Sequence, residues 1–255
     1  MKIKNISQTV IISLIVAILG LVSLYIGSKV SNNAPENSLM GITMYIVPII
    51  YVFLSKKFVF KEIKLNTKDF SVKSTIKYGW FILLIALIFF SLNISQAVKG
   101  NAPVSSIVFY FIYCLGTGIF EELMCRGIIQ NLIVEKFKEE NKSVFKAIAL
   151  AAFIFAILHF ANLINNPNLI LGTIGQVVYS FGIGIMLGVI YYKTKNIASS
   201  ILVHALFNFL ASFILVLPQS AASEGVIPLV ALLIQWALIL PGIFIYYRIY
   251  KKRTI

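Results

Sequence analysis

Eight apolar segments of about 20 residues dominate the chain, and they limit its fold more than any other feature. They span residues 7–27, 39–55, 77–95, 104–133, 145–165, 169–192, 197–217 and 225–247. A run of this length can cross the hydrocarbon core of a bilayer as a helix. Because the backbone finds no water in lipid, such segments must be helices or strands of a closed barrel. The segments show no period-two alternation, which argues against the barrel.

The sequence therefore predicts an all-α, polytopic bundle of about eight transmembrane helices, forming a single integral membrane domain over residues 1–255. Its composition agrees: 59% of the residues are hydrophobic and 12% are charged, against about 45–50% and about 25% in soluble domains. The first apolar run follows a basic N-terminus, as in a signal peptide. However, it is long for such a peptide and no small-residue cleavage site follows. We therefore interpret 7–27 as the first membrane helix.

The basic residues are distributed very unevenly between the two sides of this predicted bundle. If the N-terminus is cytoplasmic, 20 of the 22 Lys and Arg residues fall towards the cytoplasmic side, and only Lys29 and Lys99 lie outside. One of the 20, Arg126, is discounted because it belongs to a motif within a predicted span. Cytoplasmic loops of membrane proteins are enriched in Lys and Arg, so the pattern predicts that both termini are cytoplasmic. The net charge of +13 then suits anionic lipid headgroups rather than nucleic acid.

Two further stretches have structural interpretations. Residues 56–76 are basic with interspersed apolar residues, which fits either an amphipathic helix on the membrane surface or a solvated loop. In the sixth segment, Gly184 and Gly188 form a small-xxx-small pair. Such pairs are typical of closely packed membrane helices.

The most unusual polar residues lie in the fourth segment, where Glu121 and Glu122 are followed by Arg126. A charge at the centre of a membrane helix costs about 2.5–3.5 kcal/mol on insertion scales. Residues four apart share a helix face, so the spacing predicts an ion pair between Glu122 and Arg126. Glu121 is rotated by about 100° from Glu122. Its carboxylate is thus left available, and beside a pocket it would be a candidate general base.

The chain has only two histidines, and both lie in predicted spans: His159 in the fifth, and His204, four residues before Asn208, in the seventh. Each polar residue alone has a structural interpretation, as an interhelical hydrogen bond or a salt bridge. Together on three spans they favour one shared site, since such groups usually face a common interior. The positions of Glu121, His159 and His204 along the membrane normal, counted from the predicted ends of their segments, differ by about 10 Å. Helix tilt and shifted segment boundaries can account for this difference.

A carboxylate with an imidazole suits activation of water, and His with Asn on one face suits binding of an oxyanion. The sequence contains no His-Glu-x-x-His motif, so a thermolysin-like zinc site is not predicted. It also contains no Gly-x-Ser-x-Gly motif, so a serine nucleophile is not predicted either. Hydrolysis of an amide by activated water is the reaction class that these groups favour.

The three motifs, Glu121-Glu122-x-x-x-Arg126, Phe155-x-x-x-His159 and His204-x-x-x-Asn208, resemble those of the CPBP family in sequence and order. This is the CAAX protease and bacteriocin-processing (Abi) family of intramembrane endopeptidases. The resemblance covers the motif-bearing core, residues 104–217. The first three segments and the last match only as generic membrane helices.

The resemblance implies a role for each matching residue. Glu121 would activate water with His159 as its partner, and His204 and Asn208 would stabilise the oxyanion.

The resemblance also places Glu122 in the catalytic set, where it would shape the site, and implies supporting roles for Arg126, which would hold Glu122, and for Phe155, which would pack beside it. We expect that no cofactor is required. If zinc were used instead, Glu121, His159 and His204 would be its ligands.

The resemblance thus implies a CAAX prenyl protease-like endopeptidase. The lysine- and isoleucine-rich composition favours a bacterial source, and hence a bacterial cell membrane. The substrate of the endopeptidase would be a membrane-associated peptide or protein, such as a prenylated CAAX peptide, a pheromone or a bacteriocin precursor. Two alternatives stay open: a proton-coupled transporter, because buried Glu, His and Arg also form proton relays, and a non-catalytic immunity or scaffold protein. The sequence does not indicate an oligomeric state.

Overall fold

The computed structural model describes residues 5–165, 167–217 and 229–252. Within these residues the protein is helical apart from connecting loops and one isolated backbone bridge. Eight long helical runs follow one another: α1 (Ile6–Val30), α2 (Gly41–Val59), α3 (Val72–Lys99), α4 (Val104–Glu139), α5 (Val144–Ile164), α6 (Ile170–Thr194), α7 (Ile197–Ala211) and α8 (Leu229–Lys251). Each overlaps one predicted apolar segment, so the all-α prediction is confirmed.

Six of these helices, α1 to α6, are long and apolar enough to cross a membrane. The protein is therefore an integral membrane protein. Helix α7 is apolar but has only 15 residues, because it ends at Ala211 and a 3-10 turn follows, where the sequence predicted a span to residue 217. Eight spans with cytoplasmic termini stay a prediction. Residues 225–228 of the last segment lie outside the described residues, as do Lys2, Lys4 and Arg253.

Helix α1 is an integral part of the bundle. The hydroxyl of Tyr51 in α2 donates to the carbonyl of Val16 in α1 at 2.8 Å. A Cβ atom on Gly20 would collide with the side chain of Met124 in α4. The small residue at this position thus lets α1 pack directly against the helix that carries the two adjacent carboxylates.

One end of the bundle carries the basic loops, and we call it the basic end. Here the segment between α2 and α3 is an irregular loop over residues 60–71, so the amphipathic-helix interpretation of 56–76 is wrong. Nor is this loop simply solvated, because Phe60 and Ile63 are buried. Its backbone pairs with the α6–α7 turn, where the Lys68 N–H donates to the carbonyl of Lys195 at 3.0 Å.

The opposite end is formed by the loops 31–40 and 100–103 and by the segment 212–217. The side chain of Asn37 donates to the carbonyls of Val216 (3.2 Å) and Leu217 (2.9 Å). In α3, Asn93 donates to the carbonyl of Ala211 at 3.1 Å. These bonds hold the α1–α2 loop over the end of α7.

A tight turn between α6 and α7 positions the seventh helix in the bundle. Lys195 takes the left-handed conformation (φ 53°), and the side chain of Asn196 caps α7 by accepting from the N–H groups of Ala198 and Ser199. Helix α7 then packs on α3, where the hydroxyls of Thr75 and Ser199 lie 2.8 Å apart. The turn places α7 against α3, α4 and α6.

Candidate active site

Helix α4 carries both carboxylates at the point where its hydrogen-bonding pattern changes. It is α-helical over Val104–Glu122, π-helical over Leu123–Gln130 and α-helical again over Asn131–Glu139. π segments within longer helices occur frequently at functional sites. The adjacent carboxylates therefore precede a local irregularity of the kind that often accompanies function.

Glu122 and Arg126 form the ion pair that their spacing predicted. Nη1 of Arg126 lies 2.7 Å from Oε1 of Glu122, and their side chains are 2% and 0% exposed. Removing two charges from water costs several kcal/mol for each ion unless further hydrogen bonds compensate. Arg126 makes such a bond, since its Nη2 donates to the carbonyl of Gly184 at 3.0 Å.

Close packing of α6 makes this second bond of Arg126 possible. A Cβ atom on Gly184 would lie only 3.0 Å from Cβ of Ala152 in α5. One turn further along α6, the carbonyl of Gly188 accepts from Gln130 in α4 at 3.1 Å. The small-xxx-small pair thus packs closely, as predicted, and its carbonyls also anchor polar side chains of α4.

Phe155 of α5 forms one wall of the site. Its ring lies under the guanidinium of Arg126, 4.9 Å from Cζ, within the range of a cation–π interaction. The ring is also perpendicular to the imidazoles of His159 and His204, at centroid distances of 5.0 Å and 6.2 Å. Phe155 therefore packs against Arg126, His159 and His204 at once.

His204 lies between the two carboxylates. Its Nδ1 is 2.8 Å from Oε1 of Glu122, and its Nε2 is 3.6 Å from Oε2 of Glu121. Because an ionised carboxylate only accepts, Nδ1 carries a hydrogen and donates to Glu122. The motif spacing did not predict this contact between Glu122 and His204. In the described part of the chain, Oε2 of Glu122 is buried with no hydrogen-bond partner.

His159 is oriented by the backbone of its own helix. It lies in the 3-10 turn that follows the regular part of α5, and its Nδ1 is 3.2 Å from the carbonyls of both Phe155 and Ala156. Carbonyls only accept, so Nδ1 carries a hydrogen, and in the neutral ring Nε2 keeps a free lone pair. That nitrogen is 3.5 Å from the hydroxyl of Ser180 in α6. The sequence interpretation had not included Ser180.

A cavity of about 360 Å³ joins these groups and extends towards the opposite end of the bundle. Glu121, His159, His204 and Asn208 all line it. Thus α4, α5 and α7 bring four of the five residues of the predicted catalytic set to one space, whereas Glu122, the fifth, is not among the residues that line it. The depth mismatch estimated from the sequence does not prevent this, because His159 follows the regular part of α5 and α4 continues well past Glu121.

The two adjacent carboxylates differ as the helix rotation predicted. The side chain of Glu121 is 20% exposed and lines the cavity, whereas that of Glu122 is fully buried. Glu121 is therefore the carboxylate that water or a substrate can reach.

The geometry does not present a ready metal centre. Among the described residues, no group of three or more His, Cys, Asp or Glu side chains is arranged to hold a metal ion. In the zinc alternative the ligands would be Glu121, His159 and His204, with both histidines binding through Nε2, because Nδ1 of each ring is engaged by a carbonyl or by Glu122. Metal-independent activity stays a prediction.

Comparison with known proteins gives one match, at the helices that carry the site. The family model described as type II CAAX prenyl endopeptidase Rce1-like matches residues 103–210. These residues form an Rce1-like domain of the CPBP/Abi family. No curated protein and no solved structure matches the chain.

The Rce1-like match covers every residue of the three motifs and leaves α1 to α3 and α8 outside it. The unmatched helices nevertheless contribute to the cavity. Glu36 from the α1–α2 loop and Tyr45 from α2 line it together with Glu121. Motif spacing cannot identify such residues, because they precede the match by more than 50 positions.

Proposed function

We propose that this protein is an intramembrane endopeptidase that hydrolyses a peptide bond of a membrane-associated peptide or protein. The observation that carries this proposal is the convergence of Glu121, His159, His204 and Asn208 on one cavity between membrane-length helices. Membership of residues 103–210 in the Rce1-like family supports a protease rather than a transporter or scaffold.

In the first step, Glu121 removes a proton from a water molecule in the cavity, and the oxygen attacks the carbonyl carbon of the substrate. Glu121 suits this role because it is the accessible carboxylate of the doublet. A positioned general base typically contributes about 10²–10⁴-fold to the rate.

The carbonyl oxygen then carries negative charge and needs hydrogen-bond donors. Asn208 can supply its side-chain amide, and His204 can donate from Nε2 when both ring nitrogens carry hydrogens. Glu122 holds Nδ1 of His204 at 2.8 Å, so Nε2 is directed away from Glu122 and towards Glu121. Preorganised donors of this kind are often the largest single contribution to catalysis.

Collapse of the intermediate breaks the carbon–nitrogen bond, and the leaving nitrogen takes up the proton that Glu121 accepted. His159 can assist this transfer through Nε2, whose orientation is set by the two carbonyls bonded to Nδ1. The products are a carboxylate and an amine, so one water is consumed for each bond broken.

The substrate classes that fit are those named by the family resemblance: prenylated CAAX peptides, pheromone precursors and bacteriocin precursors. Each is a peptide held at a bilayer. Such substrates would reach the site from the bilayer, since it lies in a bundle with helices of membrane length. We further propose that the protein acts in a bacterial cell membrane with both termini cytoplasmic.

The decisive experiment compares the wild-type protein with Glu121→Gln in proteoliposomes containing membrane peptides, with products identified by mass spectrometry. We expect the wild type to cleave at defined positions and Glu121→Gln to be at least about 10²-fold slower, with unchanged thermal stability. The matched control is Glu62→Gln, which removes an exposed carboxylate at the basic end.

Cleavage by Glu121→Gln at the wild-type rate would exclude Glu121 as the base. Transport of a solute without any cleaved product would instead support the carrier alternative.

A further inference from the structure

A third carboxylate, Glu36, shares the cavity with Glu121. It lies on the α1–α2 loop at the opposite end, outside the Rce1-like match, and no motif contains it. Its side chain is half-buried, and the loop is fixed by the bonds from Asn37 to the carbonyls of Val216 and Leu217. Glu36 is therefore held at the edge of the space where the substrate would lie.

The lining of the cavity is acidic. Of the described residues that line it, Glu36 and Glu121 are carboxylates, and none is Lys or Arg. The nearby guanidinium of Arg126 is buried behind the site and paired with Glu122. At this end of the bundle, Lys29 lies over its own helix neighbour Tyr25, and Lys99 is exposed. No cation of the lining therefore neutralises Glu36.

Three tyrosines surround this carboxylate. Tyr45, Tyr110 and Tyr113 line the same part of the cavity, with the rings of Tyr45 and Tyr113 in edge contact at 5.1 Å and those of Tyr110 and Tyr113 stacked at 6.4 Å. Burial raises the pKa of Glu36, and the hydroxyl of Tyr113 partly offsets this. A carboxylate beside aromatic rings is the combination that binds ammonium and guanidinium groups, because both attract positive charge.

The cavity follows one face of α4, where Tyr110, Tyr113, Thr117 and Glu121 are spaced at helical intervals. Tyr113 and Glu121 are eight residues apart, which is about 12 Å along a helix. An extended peptide advances about 3.3–3.6 Å per residue. A group held beside Tyr113 would thus belong to a residue about three or four positions from the scissile bond.

From this arrangement we propose that Glu36 is a specificity-determining residue, which binds a cationic group of the peptide substrate about three or four residues from the bond that is cleaved. The group would be a lysine or arginine side chain or a free amino terminus. A terminal carboxylate entering at this position would meet a like charge. This inference rests on the proposed endopeptidase function for its position in the substrate, but the binding chemistry can be tested separately.

The binding test uses palmitoylated alanine–serine decapeptides that carry a single lysine, or a glutamine at the same position. Dissociation constants are measured by fluorescence anisotropy in nanodiscs for the inactive Glu121→Gln variant and for the double variant Glu121→Gln/Glu36→Gln. We expect Glu121→Gln to prefer the lysine peptide by about tenfold, the size of a charge-assisted hydrogen bond. The preference should vanish in the double variant and survive in part with Glu36→Asp.

The cleavage test applies the same peptide pairs to the wild type, Glu36→Gln and the control Glu62→Gln. The ratio of kcat/KM for the lysine and glutamine peptides should exceed one when lysine is three or four residues from the cut, and should fall to about one only in Glu36→Gln.

Equal binding of both peptides by Glu121→Gln, no binding of either, or a preference that survives Glu36→Gln would each overturn the inference. A Glu36-dependent preference in binding without any cleavage by the wild type would leave the cation site standing and reject the endopeptidase function. Cleavage that depends on Glu121 but not on Glu36 would support the endopeptidase function and reject the cation site.

Discussion

Helix α4 contributes to two buried polar clusters that are close in sequence and differ in kind. The Glu121 cluster consists of Glu121, Glu122, Arg126, His159 and His204. The Asn131 cluster consists of Gln130, Asn131, Tyr191 and Asn66. Both lie inside the bundle, and each joins several segments of the chain.

In the Asn131 cluster the polar groups satisfy one another. The side chain of Asn131 bonds to the carbonyls of Lys64 and Gly127, both at 3.1 Å, and to the hydroxyl of Tyr191 at 2.9 Å. That hydroxyl also accepts from the N–H of Asn66 at 3.0 Å. These bonds hold the loop 60–71 against the bundle, and none of the residues of the Asn131 cluster lines the cavity.

In the Glu121 cluster, by contrast, the side chains do not use all of their hydrogen-bonding atoms on one another. Glu121 faces a 360 Å³ cavity, and Nε2 of His159 has only a long contact of 3.5 Å to Ser180. A buried polar residue is therefore a weak sign of function in itself. An unused donor or acceptor beside open space is the stronger sign, because only such a group can act on a substrate.

The largest effect on stability is expected when the ion pair of the Glu121 cluster is broken on one side. Arg126→Met leaves Glu122 charged and buried, which should lower the free energy of unfolding by about 3–5 kcal/mol. The measurement is SDS-induced unfolding of the purified protein in detergent micelles. The double variant Arg126→Met/Glu122→Gln removes both charges and should recover much of the loss. Equal destabilisation in the single and double variants would contradict this account of the pair.

A loss of activity without a comparable loss of stability is expected for Asn208→Ala. This change removes a proposed oxyanion donor, which typically costs about 10²–10³-fold in kcat, or about 2.7–4 kcal/mol of transition-state stabilisation. Turnover of a cleaved peptide in proteoliposomes measures it, and KM should change little. A change in KM alone would assign Asn208 to substrate binding.

A loss of stability without a loss of activity is expected for Asn131→Ala in the Asn131 cluster. It leaves the carbonyl of Lys64 and the hydroxyl of Tyr191 with fewer partners, so we expect a loss of about 1–3 kcal/mol in unfolding free energy. The activity of each folded molecule should stay at the wild-type level in the same cleavage assay. A selective loss of kcat in a fully folded variant would show that the two clusters are coupled.

The smallest effect is expected on removal of metal. Exhaustive dialysis against chelators should leave the cleavage rate unchanged, because the proposed steps use only protein side chains and water. Atomic emission measurements would follow residual zinc in the same samples. Activity that is lost with zinc and restored only by zinc would assign Glu121, His159 and His204 to a metal centre instead.

Most of the helical architecture could be predicted from hydropathy. The solvent is lipid, so an apolar run of membrane length has almost no alternative to a helix. The exceptions are a helix that ends within an apolar run and a loop that packs on the bundle. Helix α7 ends at Ala211, and the loop 60–71 is held by hydrogen bonds to Tyr191, Asn131 and Lys195 that lie far away in sequence.

The sequence could predict which polar side chains of three helices lie together, but not all of the contacts between them or the other residues that line the cavity. Glu121, His159, His204 and Asn208 were identified because polar side chains are rare and costly in lipid. The i, i+4 rule gave the pairing of Glu122 with Arg126 correctly. It could not give the bond from His204 to Glu122, because that contact joins residues 82 positions apart.

The sequence by itself determined which segments are helices, which polar side chains lie within them, and how neighbouring side chains on one helix face are paired. These properties follow from helix periodicity and from the cost of polar groups in hydrocarbon. Helix rotation predicted that Glu121 and Glu122 point in different directions, but only the tertiary structure decided that a cavity lies beside Glu121 and that Glu36 reaches this cavity from a distant loop. Such contacts depend on how separate helices pack together, and spacing along a single helix contains no information about that packing.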